Sequence, residues 1–290
     1  MASVVVEEIA ANLLKGVISG IGSKVGAAMF NSIFAQSVPS YFTEVYKEIE
    51  KIMHQEITEN TINEIDGEIN GTSTWVKFDY NPRKASGASK DDLHSLLEPK
   101  VSDLAINMIA VLQQKSFAES ALAVFIVGAG VHLSLLQELA YVDPNVDDPH
   151  QSSYIKTIQK YAPDYADHAD KTWKSVKTSR EALFTEVTIK SQPIPSPGRP
   201  PTDFHYTSEW TDELTGEKFK DATDFIGGVW TNGNYADLEN RANAKRTEYI
   251  NTTIAELQKQ MHDPPHAAET WRKLVDQPLP VVSCSPCNLL

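Results

Sequence analysis

The dominant apolar run of the chain is FAESALAVFIVGAGVHLSLLQELAYV, residues 117–142. Between Glu119 and Glu138 lie 18 residues with no formal charge apart from a titratable His132. As a helix they extend about 27 Å, slightly less than a bilayer core. A helix apolar on every side is either the centre of a bundle or a membrane span. Gly128, Gly130, His132 and Ser134 lie inside this one, which favours a buried central helix as the first reading.

The segments around it alternate apolar and polar residues at helical spacing. Over Val4–Phe34, residues Ile9, Leu13, Val17, Ile21, Val25 and Met29 fall near one face, which suits one long or two short helices. Gly16, Gly20, Gly22 and Gly26 form small-xxx-small pairs within it. These fit either a closely packed helix pair or a membrane-active segment. Pro39 ends that run, and an amphipathic helix follows from Ser40 to Ile69, stopped by Asn70-Gly71-Thr72. The stretch STWVKFDYNPRKASGASK then reads as a loop with an aromatic start.

Acids at Asp91 and Asp92 introduce the next helix, over residues 92–114. It carries an apolar stripe at Leu93, Leu97, Lys100, Leu104, Met108 and Val111 and a polar one at Asp103, Asn107 and Gln114. Pro99 should begin or kink it. After a short break at Lys115-Ser116 the central helix follows, so residues 92–142 form a hairpin of one amphipathic and one apolar arm. Asp143-Pro144-Asn145 closes that hairpin. A helix with an aromatic face at Tyr154, Ile158, Tyr161, Tyr165 and Trp173 comes next, interrupted by Pro163, and a further helix reaches Val187.

Together these elements predict an all-α fold, a multi-helix bundle around a central apolar helix at residues 1–190. A Pro-rich linker follows at 191–201, and a small mixed C-terminal appendage, 202–290, packs on the bundle. In that appendage DFHYTSEW and FIGGVWTNGNY suit short strands or ordered loops, residues 234–261 suit a last amphipathic helix, and the chain from 264 reads as loose coil.

The net charge of −13 and pI near 5.1 exclude the basic face that a nucleic-acid partner needs. Any attraction to membranes must be mainly hydrophobic. The N-terminus lacks a basic n-region and places Glu7 and Glu8 where a signal peptide is apolar. The only cysteines, Cys284 and Cys287, lie too near the end to staple the fold. Cys287-Asn288-Leu289-Leu290 has the form of a prenylation signal, making Cys287 a lipidation candidate against the plainer reading of two free thiols. No P-loop, nucleophile elbow or His-Glu-x-x-His occurs, so neither an enzyme nor a cofactor is expected. Asp164, Asp167, His168 and Asp170 spread over more than one helical face, which suits a solvated surface better than a metal site. For His132 the alternatives are a core histidine bonded to a neighbour and a group whose titration eases release of the helix.

The block GAGVHLSLLQELAYVD, with YIKTIQKYAPDYADHADKTW after it, resembles the N-terminal domain of three-domain insecticidal crystal toxins, the Cry delta-endotoxins. There the central helix carries a His-Leu pair, further leucines and then an acidic residue, and a Tyr-rich helix follows. The similarity covers residues 35–190. It implies pore formation, with the central hairpin entering the bilayer. By position, residues 119–141 become the lipid-facing arm, with Leu122, Val124, Phe125, Ile126, Val127, Val131, His132, Leu133, Leu135 and Leu136 inserting. Residues 92–114 become the lumen-lining arm through Asp103, Asn107 and Gln114. The resemblance also implies target-membrane lipid as partner and a homo-oligomer on insertion. It further implies cytoplasmic synthesis as crystals or inclusions, with action after release. Those toxins add two β-rich receptor-binding domains, whereas about 100 residues follow the bundle here, so receptor recognition is unassigned. The alternative is a non-toxic helical bundle with a structural, storage or partner-binding role.

Overall fold

The computed structural model describes residues 49–53, 64, 67, 68, 71, 72 and 74–279, except Phe117. The helices expected over Val4–Phe34, most of the rod expected from Ser40, and Cys284 and Cys287 lie outside the described residues. The described residues up to Ser175 and from Gln258 onward form one compact unit, and Val176–Leu257 forms a second.

In the first unit the expected stop at Asn70-Gly71-Thr72 is not seen, since Gly71 and Thr72 are helical. Nor is the following stretch a loop. Helix α1 covers Val76–Tyr80 as a π-helix and Asn81–Ala85 as an α-helix. The Pro/Gly/Ser cluster points to a loop with an aromatic start, but Val76 and Tyr80, four residues apart, are both 1% exposed, so burial of one helical face decides the conformation. The break comes later, at Gly87, whose φ of +86° suits glycine.

Helix α2 comprises Lys90–Asp103, a π-helical Leu104–Ile109 and a last turn Ala110–Leu112. Ser89 caps it, its side chain accepting from the Asp92 amide, so Pro99 lies in its interior and does not begin it. The buried stripe is Leu93, Leu97, Val101, Leu104, Met108 and Leu112, and Lys100 is exposed. The Ala110 amide bonds to Ala105 O, five residues back. That extra residue per turn rotates the stripe from the expected Val111 to Leu112.

Residues 118–121 turn before α3, Leu122–Tyr141, which therefore starts five residues later than the apolar run suggests. Glu119, in that turn, accepts from the Ser175 hydroxyl at 3.1 Å. Every residue from Leu122 to Ala140 is buried, and the helix is continuous through Gly128-Ala129-Gly130. Helix α4, Ser153–Ala182, is one element of 30 residues with Pro163 inside it, where an interruption and a second helix were expected. Ile158 and Ala162 before the proline and Tyr165, Ala166 and Ala169 after it are all nearly inaccessible. Packing along this stripe outweighs the hydrogen bond that Pro163 cannot donate.

The second unit contains a four-stranded antiparallel meander in the order β1-β2-β3-β4: β1 Thr188–Pro193, β2 Phe204–Thr211, β3 Lys218–Ile226 and β4 Val229–Trp230. The first three residues of the Pro-rich stretch 191–201 thus complete an edge strand, where a terminal proline is tolerated. β3 and β4 join through Gly227-Gly228, both at positive φ, the requirement of a tight hairpin turn. Helix α5, Tyr235–Gln260, lays Tyr249 against the stacked pair Trp210 and Phe219, whose centroids are 3.9 Å apart. At the start of this unit Arg180 forms a bidentate, buried ion pair with Asp212 at 2.9 and 2.6 Å.

The chain returns to the first unit through helix α6, Pro264–Lys273, in the stretch read as loose coil. Asp263 caps it and the two prolines occupy its first turn. Ala267, Ala268 and Trp271 are fully buried, so the apolar spacing of a short helix outweighs the high proline content.

Candidate functional site: a buried helical hairpin

The site is α3 and the groups that hold it in place. It is the one helix among the described residues long and apolar enough to cross a membrane, and 94% of its apolar window is buried inside the protein. All ten residues read as membrane-inserting, Leu122 to Leu136, lie in that buried interior. The three read as lumen-lining, Asp103, Asn107 and Gln114, are exposed on or just after α2. Asn107 and Lys100 share a cleft of about 630 Å³ with Glu64 and Glu68.

The two arms meet without a gap. A Cβ added at Gly128 would lie 2.7 Å from Met108 Cε and 3.2 Å from Ile109 Cδ1, so the α2 side chains occupy the space that glycine leaves open. On the α4 side, the Phe125 ring meets His168 at 4.5 Å and Tyr165 at 5.7 Å, edge to face. The His132 Nδ1 and the Tyr165 hydroxyl share a hydrogen bond of 2.9 Å, and the Tyr161 ring packs on the imidazole at 5.3 Å. In this buried setting desolvation lowers His132 to about 4. Its ring is therefore neutral at physiological pH, the core-histidine alternative.

Sequence reading missed the polar lock at the far end of α3. Glu138 is inaccessible, and its Oε1 accepts both the Tyr80 hydroxyl at 2.6 Å and Lys84 Nζ at 2.5 Å. Burial, followed by the charge and hydrogen bond of Glu138, drives the Tyr80 phenol far above its usual range. The missed signal was the helix of residues 76–85: only as a helix does that stretch bring Tyr80 and Lys84 onto one face, four residues apart. A second omission was Trp271 of α6, which lies 6.2 Å from Phe125 and 6.3 Å from Tyr165. Of the acidic cluster near His168, Asp167 and Asp170 both pair with Arg272. No group able to hold a metal occurs among the described residues.

An apolar helix hidden by amphipathic neighbours, paired in a hairpin with one of them, defines a helical bundle that conceals a segment of near-bilayer length. Residues 9–181 match the delta endotoxin N-terminal domain, and the chain belongs to that family, a family of toxin domains rather than enzymes. Two curated relatives come from Bacillus thuringiensis. The pesticidal crystal protein Cry2Ad is 20% identical over 177 residues, 59% of this chain. The pesticidal crystal protein Cry2Ab, from the subspecies kurstaki, is 22% identical over 180 residues, again 59% of this chain. The matched part spans 28% of the length of each relative.

Proposed function

We propose that the protein permeabilises membranes by releasing the hairpin of residues 92–142 from the bundle into lipid. The observation that carries this reading is the burial of α3 from Leu122 to Ala140, in a 20-residue apolar helix of about 30 Å, beside an arm whose polar residues already face water. In water α3 is stable only while its neighbours wrap it, and lipid can replace them. Once inserted, Leu122 to Leu136 face acyl chains, and Asp103, Asn107 and Gln114 line an aqueous path between several copies. The partner is thus the lipid of a target membrane, and membership in a toxin-domain family supports it. Synthesis as inclusions, with action after release, belongs to the same proposal.

The test is a cysteine pair that ties α3 to α4 at positions with Cα atoms about 5–6 Å apart, in a chain whose Cys284 and Cys287 are replaced by serine. Dye release from liposomes should be abolished when the pair is oxidised and return on reduction, since insertion requires the arms to leave the bundle. Wild-type protein that releases no dye from neutral or anionic liposomes between about pH 5 and 9, a span covering histidine titration, would sink the proposal. The bundle would then serve as a non-toxic structural or partner-binding domain.

A further inference from the structure

Residues 261–279 return from the second unit and lie along α3, outside the residues 9–181 that define the family. Their contacts are of three kinds. The fully buried Trp271 wedges its ring edge-on against Phe125 of α3 and Tyr165 of α4. Further along, Gln137 Nε2 of α3 donates to Pro278 O at 2.8 Å, a buried bond, so the segment follows α3 over the 12 residues from Phe125 to Gln137, about 18 Å of helix. Finally, the segment is clasped to α4: Arg272 reaches Asp167 at 2.8 Å and Asp170 at 2.6 Å, and Gln159 Nε2 donates to Val275 O at 2.8 Å.

The three kinds of contact differ in strength. Arg272 is 44% exposed and its partners Asp167 and Asp170 are 76% and 39% exposed, so these ion pairs are screened and each is weak. The hold therefore comes mostly from the aromatic wedge, the buried amide bond and apolar burial, since Met261, Ala267, Ala268, Leu274 and Leu279 are each 4% exposed or less. A short helix of 10 residues is not self-supporting in water. Its order therefore depends on the surface that it covers.

We infer that residues 261–279 act as an autoinhibitory strap, an intrachain cover on α3 that must lift before the hairpin can leave the bundle. The inference rests on the proposed release of that hairpin and adds the element that controls it. The strap contributes no residue to the inserted state. Its role is to occupy, in water, one side of the apolar arm that lipid occupies later.

The test keeps the chain at full length and loosens the strap with Trp271→Ala together with Arg272→Glu. Amide hydrogen exchange over residues 122–141 should accelerate by about tenfold or more, and dye release from liposomes should accelerate in parallel. A synthetic peptide of residues 261–279, added in excess, should return both to near their wild-type rates, which a general loss of packing would not allow. Unchanged exchange across α3 in the variant, or acceleration that the peptide does not reverse, overturns the strap. If exchange accelerates and the peptide reverses it while neither protein releases dye, the strap stands and the release of the hairpin into lipid fails.

Discussion

At the scale of single residues the most consequential feature is a carboxylate in an otherwise apolar helix. Glu138 is wholly buried, and two partners among the described residues differ in kind: Tyr80 is neutral, and Lys84, a third exposed, brings a positive charge to it. Removing one member of a buried pair strands the other. Lys84→Ala is therefore expected to lower unfolding stability by about 2–4 kcal/mol, measured by urea denaturation. Glu138→Gln should cost less, because a neutral amide can still accept from Tyr80 and Lys84, and the ammonium left unpaired is a third exposed and can reach water. A ranking with Glu138→Gln as the more damaging change would show that Lys84 is not what neutralises this carboxylate. The same lock bears on the proposed function, in which release of α3 requires Glu138 to part from Lys84.

At the scale of elements, the fit of α2 against α3 depends on one missing side chain. The methyl of Met108 sits where a Cβ of residue 128 would be. Because that methyl is the end of a flexible chain, Gly128→Ala should be nearly neutral, the displacement of Met108 being offset by about 1 kcal/mol of helix propensity. Gly128→Leu has no such outlet and should cost about 3 kcal/mol through overpacking. Thermal melts of the two variants check this, and equal melting temperatures would place α2 farther from α3 than described. The position of α3 was legible in the sequence because 18 uncharged residues leave few alternatives. Its burial was legible too, since amphipathic segments flank it. What escaped was conformation chosen by distant partners. Residues 76–85 carry Pro82 and a Ser/Gly cluster just beyond, yet fold as a helix because Val76 and Tyr80 find a core. The first seven residues of the strand Lys218–Ile226 were hidden by their charges, as Lys220 pairs with Glu209 and Asp221 with Arg241, leaving only Phe219 and Ala222 as an apolar signal before Phe225-Ile226. Residues 264–273 looked like coil from their prolines, although the spacing Ala267, Ala268, Trp271, Leu274 is that of a helix face.

At the scale of the whole molecule, acid should loosen the first unit. His132 and His262 are both buried, and burial lowers each from 6.5 to about 4. Between those values the unfolded chain binds more protons than the folded one, so stability falls as the pH drops from about 6.5 towards 4 and is level above about 7. The loss amounts to on the order of 2–3 kcal/mol per histidine at the acid end. Melting temperature followed from pH 7.5 to 4.5 should decline along this course, and His132→Gln should flatten part of it. A melting temperature constant over that range would show both imidazoles to be accessible to protons in the folded state. The direction suits the proposed function only in loosening the bundle, because the same acid puts a charge on His132 within α3.

The return of the strap to the first unit also has a consequence for synthesis. The apolar helix is complete at Tyr141, and the last residue shown bonded to it is Pro278, so the 137 residues from 142 to 278 must still be translated before the cover exists. At roughly 5–20 residues per second this leaves α3 with one uncovered side for roughly 7–27 s on every ribosome. Nascent chains of this protein should therefore engage chaperones or neighbouring nascent chains on the same message during that interval.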